Sequence, residues 1–579
     1  MSSSEMPNTP RPGAHDDGAW NDETTAMRPF EHEPTIPRSS PHGSGAYWRP
    51  PELPPPVLPP AMRLPSPPPS PAQRGVSRRK LLIGAGAGAV GVGALGAGVG
   101  LLLSNHASQH PTAPANLTTD EAGKVLHLLR RAGFGPAPSD VDDYVRLGTS
   151  AAIDRLLDFP SVPDDAVAAR IKGLNLDLTK TDDLVRGWVL RMIYSRRPLQ
   201  EKLTLFWHGV LTSGVEKAGG RKGFPLLAQQ NDLLRAHVLG RFDDLIKAIS
   251  TDPAMLIYLD GTHSTGRSPN ENYARELMEL FTLGVTDAQG NPNYTQDDVH
   301  NGALALSGWA IQNGKGVFAP NRHYNGIVTY LGQTGKLGLD DVVKLVCAHP
   351  ATGRHLAFRM WSFFVYENPS DADLKPLADA YYTSGHSIQA MVAAMLRSPA
   401  FFSDKAYRAR VKSPVEFTVG VVRALGIETA AKGVSASLRS IGQVPYDPPN
   451  VSGWDGDKVS AAWLSTQAWM ARVNFINTLL AAASGASSKQ SGASATGSPL
   501  QQVIAARGLT SGAALADYFV AALLDNKLDP GRRAILHDTV TNAPSGGPSL
   551  PLSGGAHIPA AGVRSMLYLL MSMPEYQMN

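Results

Sequence analysis

A run of 23 residues without a charged side chain, from Leu81 to Leu103, constrains this chain more than any other feature. As a helix it would be about 34 Å long, which is enough to cross the apolar core of a bilayer. Its hydrophobicity is low, because 8 Gly and 5 Ala dilute 10 Leu, Ile and Val. The basic group Arg78-Arg79-Lys80 directly precedes the run. The positive-inside rule therefore predicts a cytoplasmic N-terminus and an extracytoplasmic segment at 104–579.

The residues around the basic group are similar to a twin-arginine export signal. That signal has the pattern Ser-Arg-Arg-x-Phe-Leu, and here Ser77, Arg78 and Arg79 match it while Leu81 takes the Phe position. We therefore expect the twin-arginine translocase to be a partner during export. Two outcomes stay open: the helix at 77–103 remains as an anchor in the cell membrane, or cleavage near Ala113-Pro114-Ala115 releases a secreted domain.

The segment before this helix is rich in proline. Residues 1–76 hold 19 of the 46 prolines, and their apolar residues follow no helical or strand period. Such a segment buries too little surface to offset its ordering entropy, so the sequence predicts a disordered tail with polyproline II stretches. It serves either as a spacer or as a ligand for a partner with an aromatic groove. Residues 104–116 are a predicted linker.

Charge and cysteine content exclude several classes of function. The formal net charge is only +3, and no block of Lys and Arg is present, so we expect no nucleic-acid partner. Cys347 is the only cysteine, which rules out internal disulfides, a Cys-based zinc site and an iron–sulfur cluster. We expect this thiol to be buried and inert.

Residues 117–579 read as one large multi-helix domain, so the predicted fold class is mainly α. A capping signal at Thr118–Glu121 starts one helix, and Pro198 starts another. Met255 to Leu259 is the best short strand candidate. The stretch 481–498 is a predicted flexible insertion, and 541–558 a predicted loop. Further helical patterns occur at 231–249, 340–347, 387–397 and 461–480.

The most informative segment is 268–284. Ser268 suits an N-cap with Glu271 completing a capping box, and Gly284 suits a C-terminal stop, so the sequence predicts a helix over 269–283. At 100° per residue, an apolar face lies opposite a polar arc. The arc holds Asn272, Glu271, Arg275, Glu276 and Glu279.

This segment resembles the bacterial family named domain of unknown function 1800, whose members are often exported by the twin-arginine route. The most specific match is the run Asn-Glu-Asn-Tyr-Ala-Arg-Glu-Leu at 270–277. One departure is His323-Tyr324, where the family usually shows His-Asp. The resemblance implies no activity, but it suggests a neighbouring exported phosphatase-like protein as a partner. Further matches lie at 127–135, 206–208, 252–260, 294–309 and 448–454.

Carboxylates and imidazoles on these segments form the candidate site. Such groups can hold a divalent metal ion or share acid–base work. Another interpretation treats Glu271, Arg275 and Glu279 as ion pairs that only stabilise an exposed helix. The candidates are Glu276, Glu271 and His208 for catalysis, His208, His323, Glu276 and Asp260 for a metal, and Trp454 and Arg275 for substrate contact.

Two classes of function remain open. The first is an extracytoplasmic hydrolase, metal-dependent or acid–base, that acts on envelope or polymeric material. The second is a non-catalytic binding or assembly component at the cell surface. The sequence contains no His-Glu-x-x-His, no Gly-x-Ser-x-Gly and no phosphate-binding Gly-rich loop, so no common catalytic signature selects between them.

Overall fold

The computed structural model describes residues 116–483, 499–544 and 546–579, all within the unit that spans residues 92–579. The predicted tail at 1–76, the hydrophobic helix at 77–103 and nearly all of the predicted linker lie outside the described residues, as does 484–498 of the predicted insertion. In the ranges that are described, no helix combines the length and apolar character needed to span a membrane.

Helices dominate the described part of the chain, which confirms the mainly α prediction. They are α1 (Asp120–Arg131), α2 (Pro138–Leu157), α3 (Asp165–Gly173), α4 (Thr181–Tyr194), α5 (Pro198–Val210), α6 (Phe224–His237), α7 (Phe242–Ser250), α8 (Pro253–Tyr258), α9 (Glu271–Glu276), a π-helix (Leu277–Thr282), α10 (Gln296–Ala305), α11 (Leu339–Ala348), α12 (Pro350–Phe364), α13 (Asp371–Thr383), α14 (Ile388–Arg397), α15 (Pro414–Ala424), α16 (Val434–Ile441), α17 (Asp455–Lys458), α18 (Thr466–Ala483), α19 (Pro499–Arg507), α20 (Gly512–Leu524), α21 (Pro530–Thr541), α22 (Ala560–Ser572) and α23 (Pro574–Gln577).

The strands of the described residues form three antiparallel hairpins. In the first, Asn313 and Gly314 turn the chain with φ of 50° and 70°, as an Asn-Gly hairpin turn requires. The stretch 541–558, predicted as a loop, contains most of the third hairpin. The strands are β1 (Trp309–Gln312), β2 (Lys315–Phe318), β3 (Val328–Tyr330), β4 (Gln333–Gly335), β5 (Ser549–Pro551) and β6 (His557–Pro559).

Local capping signals place several helices where the sequence predicts them. Pro198 stands first in α5, as predicted. For α1 the N-cap is Thr119, whose hydroxyl accepts a hydrogen bond from Ala122 N at 3.1 Å, so the helix starts one residue later than the predicted capping box implies. That capping box does not form, because Glu121 accepts instead from Thr149 N at 2.6 Å.

The strand prediction for 255–259 is wrong. Asp252 Oδ1 accepts from Met255 N at 3.0 Å and caps α8 instead.

The predicted helical pattern at 231–249 is divided between α6 and α7. Phe242 N donates to His386 O, and Ile388 N donates to Gly240 O, each at 2.9 Å. These main-chain bonds to a distant segment occupy groups that a continuous helix would need. These hydrogen bonds to a distant segment therefore interrupt the helix where the local sequence pattern predicts that it continues.

The buried apolar residues of the described ranges form one main cluster, a second one built largely from α18 to α22, and a small third one of Val411, Trp454 and Trp463. Cys347 is fully buried in the main cluster, as predicted. Helix α9 packs against α10, and the π-helix that follows it contacts α11 and α12. The polar segment 271–282 is thus anchored in the main core.

Candidate functional site

Helix α9 begins with Asn270 as its N-cap. Its Oδ1 accepts a hydrogen bond from Asn272 N at 2.9 Å. The predicted capping box of Ser268 and Glu271 is therefore wrong. Ser268 instead exchanges two main-chain hydrogen bonds of 3.1 Å with Thr265, which keeps the chain extended ahead of the helix. The Glu271 side chain is left to contact the neighbouring helix.

Glu271 joins α9 to α10. Its Oε2 accepts from Arg275 at 3.1 Å and from Gln296 Nε2 at 2.9 Å, and its Oε1 lies 3.3 Å from His300 Nδ1. Arg275 also donates to Gln296 Oε1 at 3.0 Å. The side chains of Glu271, Arg275 and His300 are about one-third to one-half exposed, so this is a surface network rather than a buried one. Arg275, the predicted substrate contact, is engaged within it.

The helix changes form immediately after Glu276. Residues Leu277–Thr282 make a π-helix, in which the Thr282 hydroxyl donates to Leu277 O at 2.5 Å. Leu283 N and Gly284 N both donate to Met278 O, at 2.9 and 3.0 Å. Short π segments inside helices are rare and are found frequently at functional sites. The spacing of 100° per residue that defines the predicted polar arc therefore does not hold beyond Glu276.

Two side chains of α12 form hydrogen bonds with a main-chain carbonyl oxygen of the π-helix. His355 Nε2 lies 3.1 Å from Leu280 O, and Arg359 donates to the same oxygen at 3.4 Å. Burial lowers the pKa of His355 to about 4, so the ring is neutral at pH 7 and Nε2–H donates. Gly284 has φ of +75°, and a Cβ there would lie 2.7 Å from His355 Nδ1. Glycine is required both for the turn and for the approach of the ring.

Glu276 and Glu279 stand on either side of the change from α to π geometry. Glu279 Oε2 accepts from the Tyr294 hydroxyl at 2.8 Å. Glu276 is half-buried, and no described residue donates a hydrogen bond to its carboxylate. Burial, reinforced by the charge of Glu279, raises the pKa of Glu276, while Arg275 opposes that rise. The pair is therefore asymmetric: one carboxylate is held and the other is without a donor.

His208 lies in an aromatic cluster, not beside these carboxylates. Its Nε2 accepts a hydrogen bond from Tyr446 N at 3.1 Å, and its ring packs against Trp188, Tyr446 and Trp454 at 5.3 to 5.6 Å between centroids. Burial lowers the pKa of His208 to about 4, so the imidazole is neutral at pH 7. Trp454, the predicted substrate contact, is only 4% exposed. Both residues contribute to the packing of the core.

His323 and Asp260 have partners of their own. His323 Nδ1 lies 3.0 Å from Ser307 O, and its ring packs edge-on against Phe318. Asp260 adopts a left-handed conformation with φ of 57°, and its Oδ2 accepts from Asn272 at 3.4 Å. Asp260, one of the predicted metal ligands, therefore lies next to α9.

The predicted metal ligands do not form a cluster. Among the residues that the structure describes, no group of three or more His, Cys, Asp or Glu side chains is placed to hold a metal ion. His208 is enclosed by aromatic rings, and His323 is paired with a main-chain oxygen. The predicted set of His208, His323, Glu276 and Asp260 is therefore not brought together as a divalent-metal site.

The sequence pattern predicts that the glutamates lie on one helix, but it does not predict their hydrogen-bond partners, which lie at the start of α10 or just before it. Tyr294, Gln296 and His300 contact Glu279 or Glu271. A local signal for them exists, because Thr295 and Asp298 form a capping box that starts α10. A helix starting there places residues 296 and 300 one turn apart on one face.

The fold and these contacts define a large, mainly α protein that carries a carboxylate-bearing helix, partly π-helical, at the edge of its core. Residues 127–578 match the family model described as Protein of unknown function (DUF1800), and the chain belongs to this family. No curated protein and no solved structure is similar enough to the chain to match it.

Proposed function

We propose that this protein is an acid–base hydrolase with Glu276 as proton donor and Glu279 as its partner carboxylate. The observation that carries the proposal is the half-buried Glu276 carboxyl group, which receives no hydrogen bond from the described residues and has a raised pKa. A carboxyl group that holds its proton above the ordinary range suits general-acid catalysis. Paired carboxylates in different environments are the usual means of dividing acid and base roles.

The surroundings of Glu279 support its separate role. Burial and the hydrogen bond to Glu279 raise the pKa of Tyr294 to about 12, so its hydroxyl stays protonated and donates to the carboxylate. That bond orients Glu279 and leaves its other oxygen free of the tyrosine. Glu279 can then accept a proton from an attacking water while Glu276 donates one to the leaving group.

The position of the pair supports a large substrate. Glu276 and Glu279 are half-buried on a helix at the surface, not enclosed in the core. A polymer chain can reach such a site without entering a closed cavity. Together with the predicted export signal at Arg78-Arg79 and the hydrophobic run at 81–103, this favours polymeric material of the cell envelope as substrate.

The test is Glu276→Gln, which keeps the shape of the side chain and removes its proton chemistry. The full chain would be incubated with isolated cell envelopes and with purified glycan and peptide polymers. We expect the release of new reducing ends or amino groups to fall about 100-fold or more, as loss of a general acid commonly costs. Wild-type activity should also fall as pH rises through the pKa of Glu276, because the protonated form is the active one.

Glu428→Gln is the matched control, since Glu428 is an exposed carboxylate whose side chain is 70% accessible. Its activity and melting temperature should equal those of the wild type. Equal product release by the wild type and the Glu276→Gln variant would remove Glu276 from the mechanism.

A non-catalytic binding role is the second candidate, and the Glu271 network favours it. Arg275, Gln296 and His300 hold that carboxylate in a fixed position at the surface, which suits recognition of a partner. The exported phosphatase-like neighbour is the partner to test by co-purification. Loss of the partner with Glu271→Gln but not with Glu276→Gln, and no product from any polymer, would favour binding over hydrolysis.

A further inference from the structure

A cleft opens between the N-terminal half of α1, the segment 402–407 and the residues that follow α20. Its volume is about 380 Å³, within the range of roughly 300–1,000 Å³ that is usual for small-molecule sites. Most of its rim is exposed, whereas His127 and Asp525 in its lining are buried. None of the lining residues belongs to the segment 271–282, which carries Glu276.

His127 contributes a hydrogen-bond acceptor that the protein leaves unused. Its Nε2 lies 3.0 Å from Phe401 O, and a carbonyl oxygen only accepts, so Nε2 carries a proton and donates it. Burial, reinforced by Arg131 and Arg130, lowers the pKa of His127 well below its ordinary value, so the ring holds this one proton at pH 7. Nδ1 therefore bears a lone pair, and no described residue donates to it. Buried polar atoms normally have a partner, so this nitrogen calls for a donor from outside the chain.

Asp525 is a second buried acceptor in the same lining. Its Oδ1 accepts from Arg130 at 2.7 Å, and its Oδ2 accepts from the same guanidinium group. Each carboxylate oxygen has two lone pairs, so this ion pair leaves room for a further donor. A ligand that reaches the buried end of the cleft thus meets acceptors there and must supply donors.

The charges near His127 favour a neutral ligand. Arg131, Arg130 and Lys527 all disfavour positive charge on its ring, which is why they lower its pKa. A ligand ammonium group at Nδ1 would meet the same repulsion. An oxyanion has no proton to donate, and it would face the lone pair of Nδ1 and the Asp525 carboxylate. The donors that remain are neutral hydroxyl and amide groups.

Two aromatic side chains give the cleft an apolar wall. Phe402 and Tyr407 are half-buried in its lining, and their ring centroids lie 6.0 and 6.2 Å from that of His127. Lys527 lies over the Tyr407 ring, with 4.2 Å between its Nζ and the centroid. An apolar wall beside a few acceptors suits a sugar ring, which carries hydroxyl donors on its edge and C–H groups on its faces.

We propose that this cleft binds a neutral sugar residue of a glycan, with a hydroxyl group donating to His127 Nδ1 and the sugar ring lying against Phe402. Asp120, Lys124 and Asp404 on the rim are exposed, so the bound sugar can belong to a longer chain that continues into solvent. The inference goes beyond the acid–base function and does not rest on it, because a glycan can be held here whether or not Glu276 takes part in cleavage.

The test is isothermal titration calorimetry of the full chain in detergent with neutral tetrasaccharides of glucose, mannose and N-acetylglucosamine. Sodium acetate and tetraalanine serve as the anionic and the amide probe. We expect at least one tetrasaccharide to bind and both other probes to fail. His127→Phe keeps a ring and removes both nitrogens, so it should raise the Kd of that sugar about 10-fold or more, as loss of a buried hydrogen bond commonly does.

Phe402→Ala tests the apolar wall and serves where His127→Phe does not fold. It should also raise the Kd about 10-fold, because the sugar ring loses its aromatic contact. Phe318→Ala is the matched control: Phe318 is a 43% exposed phenylalanine on β2, outside the cleft. Phe318→Ala and Glu276→Gln should both bind as the wild type does, and the second of these separates sugar binding from the acid–base function.

Three results would overturn the proposal. If the wild type binds none of the tetrasaccharides, water alone satisfies Nδ1 and the cleft is not a sugar site. An unchanged Kd in a folded Phe402→Ala variant would mean that the sugar binds elsewhere. Binding of acetate or tetraalanine in place of the sugars would assign the cleft to anions or to peptides.

Discussion

Glu276 and Glu279 show how neighbouring residues of one type acquire different chemistry. Tyr294 donates a hydrogen bond to Glu279, and the described residues provide no such donor for Glu276. The helical pattern identifies both as members of a polar face but cannot distinguish them. Their difference depends on residue 294, which reaches the helix only through the fold.

His208 provides a prediction about proton binding at the residue scale. Its pKa in the folded protein is about 4, against an ordinary value of 6.5, because the ring is buried. As pH falls from 6.5 to 4, the unfolded chain therefore takes up a proton that folded His208 does not, and stability is lost. His208→Gln removes this contribution and keeps an acceptor for Tyr446 N. The unfolding free energy of the wild type should fall by about 3 kcal/mol more than that of the variant over this range.

Urea unfolding at several pH values measures this difference. His300→Gln is the control, because the His300 side chain is 52% exposed, and it should follow the wild type. Parallel pH profiles for the wild type and His208→Gln would mean that His208 is not a neutral core residue. Its predicted catalytic or metal-binding role would then regain support.

At the scale of the element, the segment 271–282 is both a helix end and a junction between helices. Its start at Asn270 and its stop at Gly284 are set by local hydrogen bonds. Within the π-helix between them, the carbonyl oxygen of Leu280 accepts hydrogen bonds from His355 and Arg359 of α12. The apolar face of the segment was predictable from its period, whereas its contacts with α12 join residues about 75 positions apart and were not.

Gly284→Ala tests how strongly this junction is held. Alanine at φ of +75° is strained, and its Cβ would lie 2.7 Å from His355 Nδ1, so the imidazole must move from Leu280 O. We expect a loss of about 2–4 kcal/mol in unfolding free energy, made up of about 1–2 from the backbone and the rest from overpacking. Urea unfolding at pH 7 measures it.

Gly290→Ala is the matched control for the backbone contribution. Gly290 also has positive φ, +85°, but a Cβ there would meet nothing within 4 Å. It should cost only the backbone part, about 1–2 kcal/mol. Equal losses in the two variants would show that contact between Gly284 and His355 contributes nothing.

At the scale of the whole molecule, we propose that the export signal determines where the described domain works. Replacing Arg78 and Arg79 with Lys keeps the positive charge and removes the guanidinium pair that a receptor would read. We expect the folded domain to remain in the cytoplasm, as protease protection in spheroplasts would show. Lys80→Arg, which leaves the pair intact, should be exported normally. Unchanged export of the double variant would indicate insertion driven by charge and hydrophobicity alone.

The sequence by itself determined the features that depend on a few adjacent residues. Helix starts at Thr119 and Pro198, the mainly α class and the grouping of Glu271, Arg275 and Glu276 on one segment all follow from caps and period. Such signals act within about four residues, so no knowledge of the fold is needed to read them.

Only the tertiary structure decided which groups meet. Tyr446 N reaches His208 from 238 residues away along the chain, and Lys202 pairs with Glu416 across 214. The sequence predicted a polar site for His208. The local helical pattern does not by itself show whether this residue lies in such a site or in the core. Burial, charge compensation and pKa depend on how distant helices pack around a side chain, and that packing is a property of the whole chain.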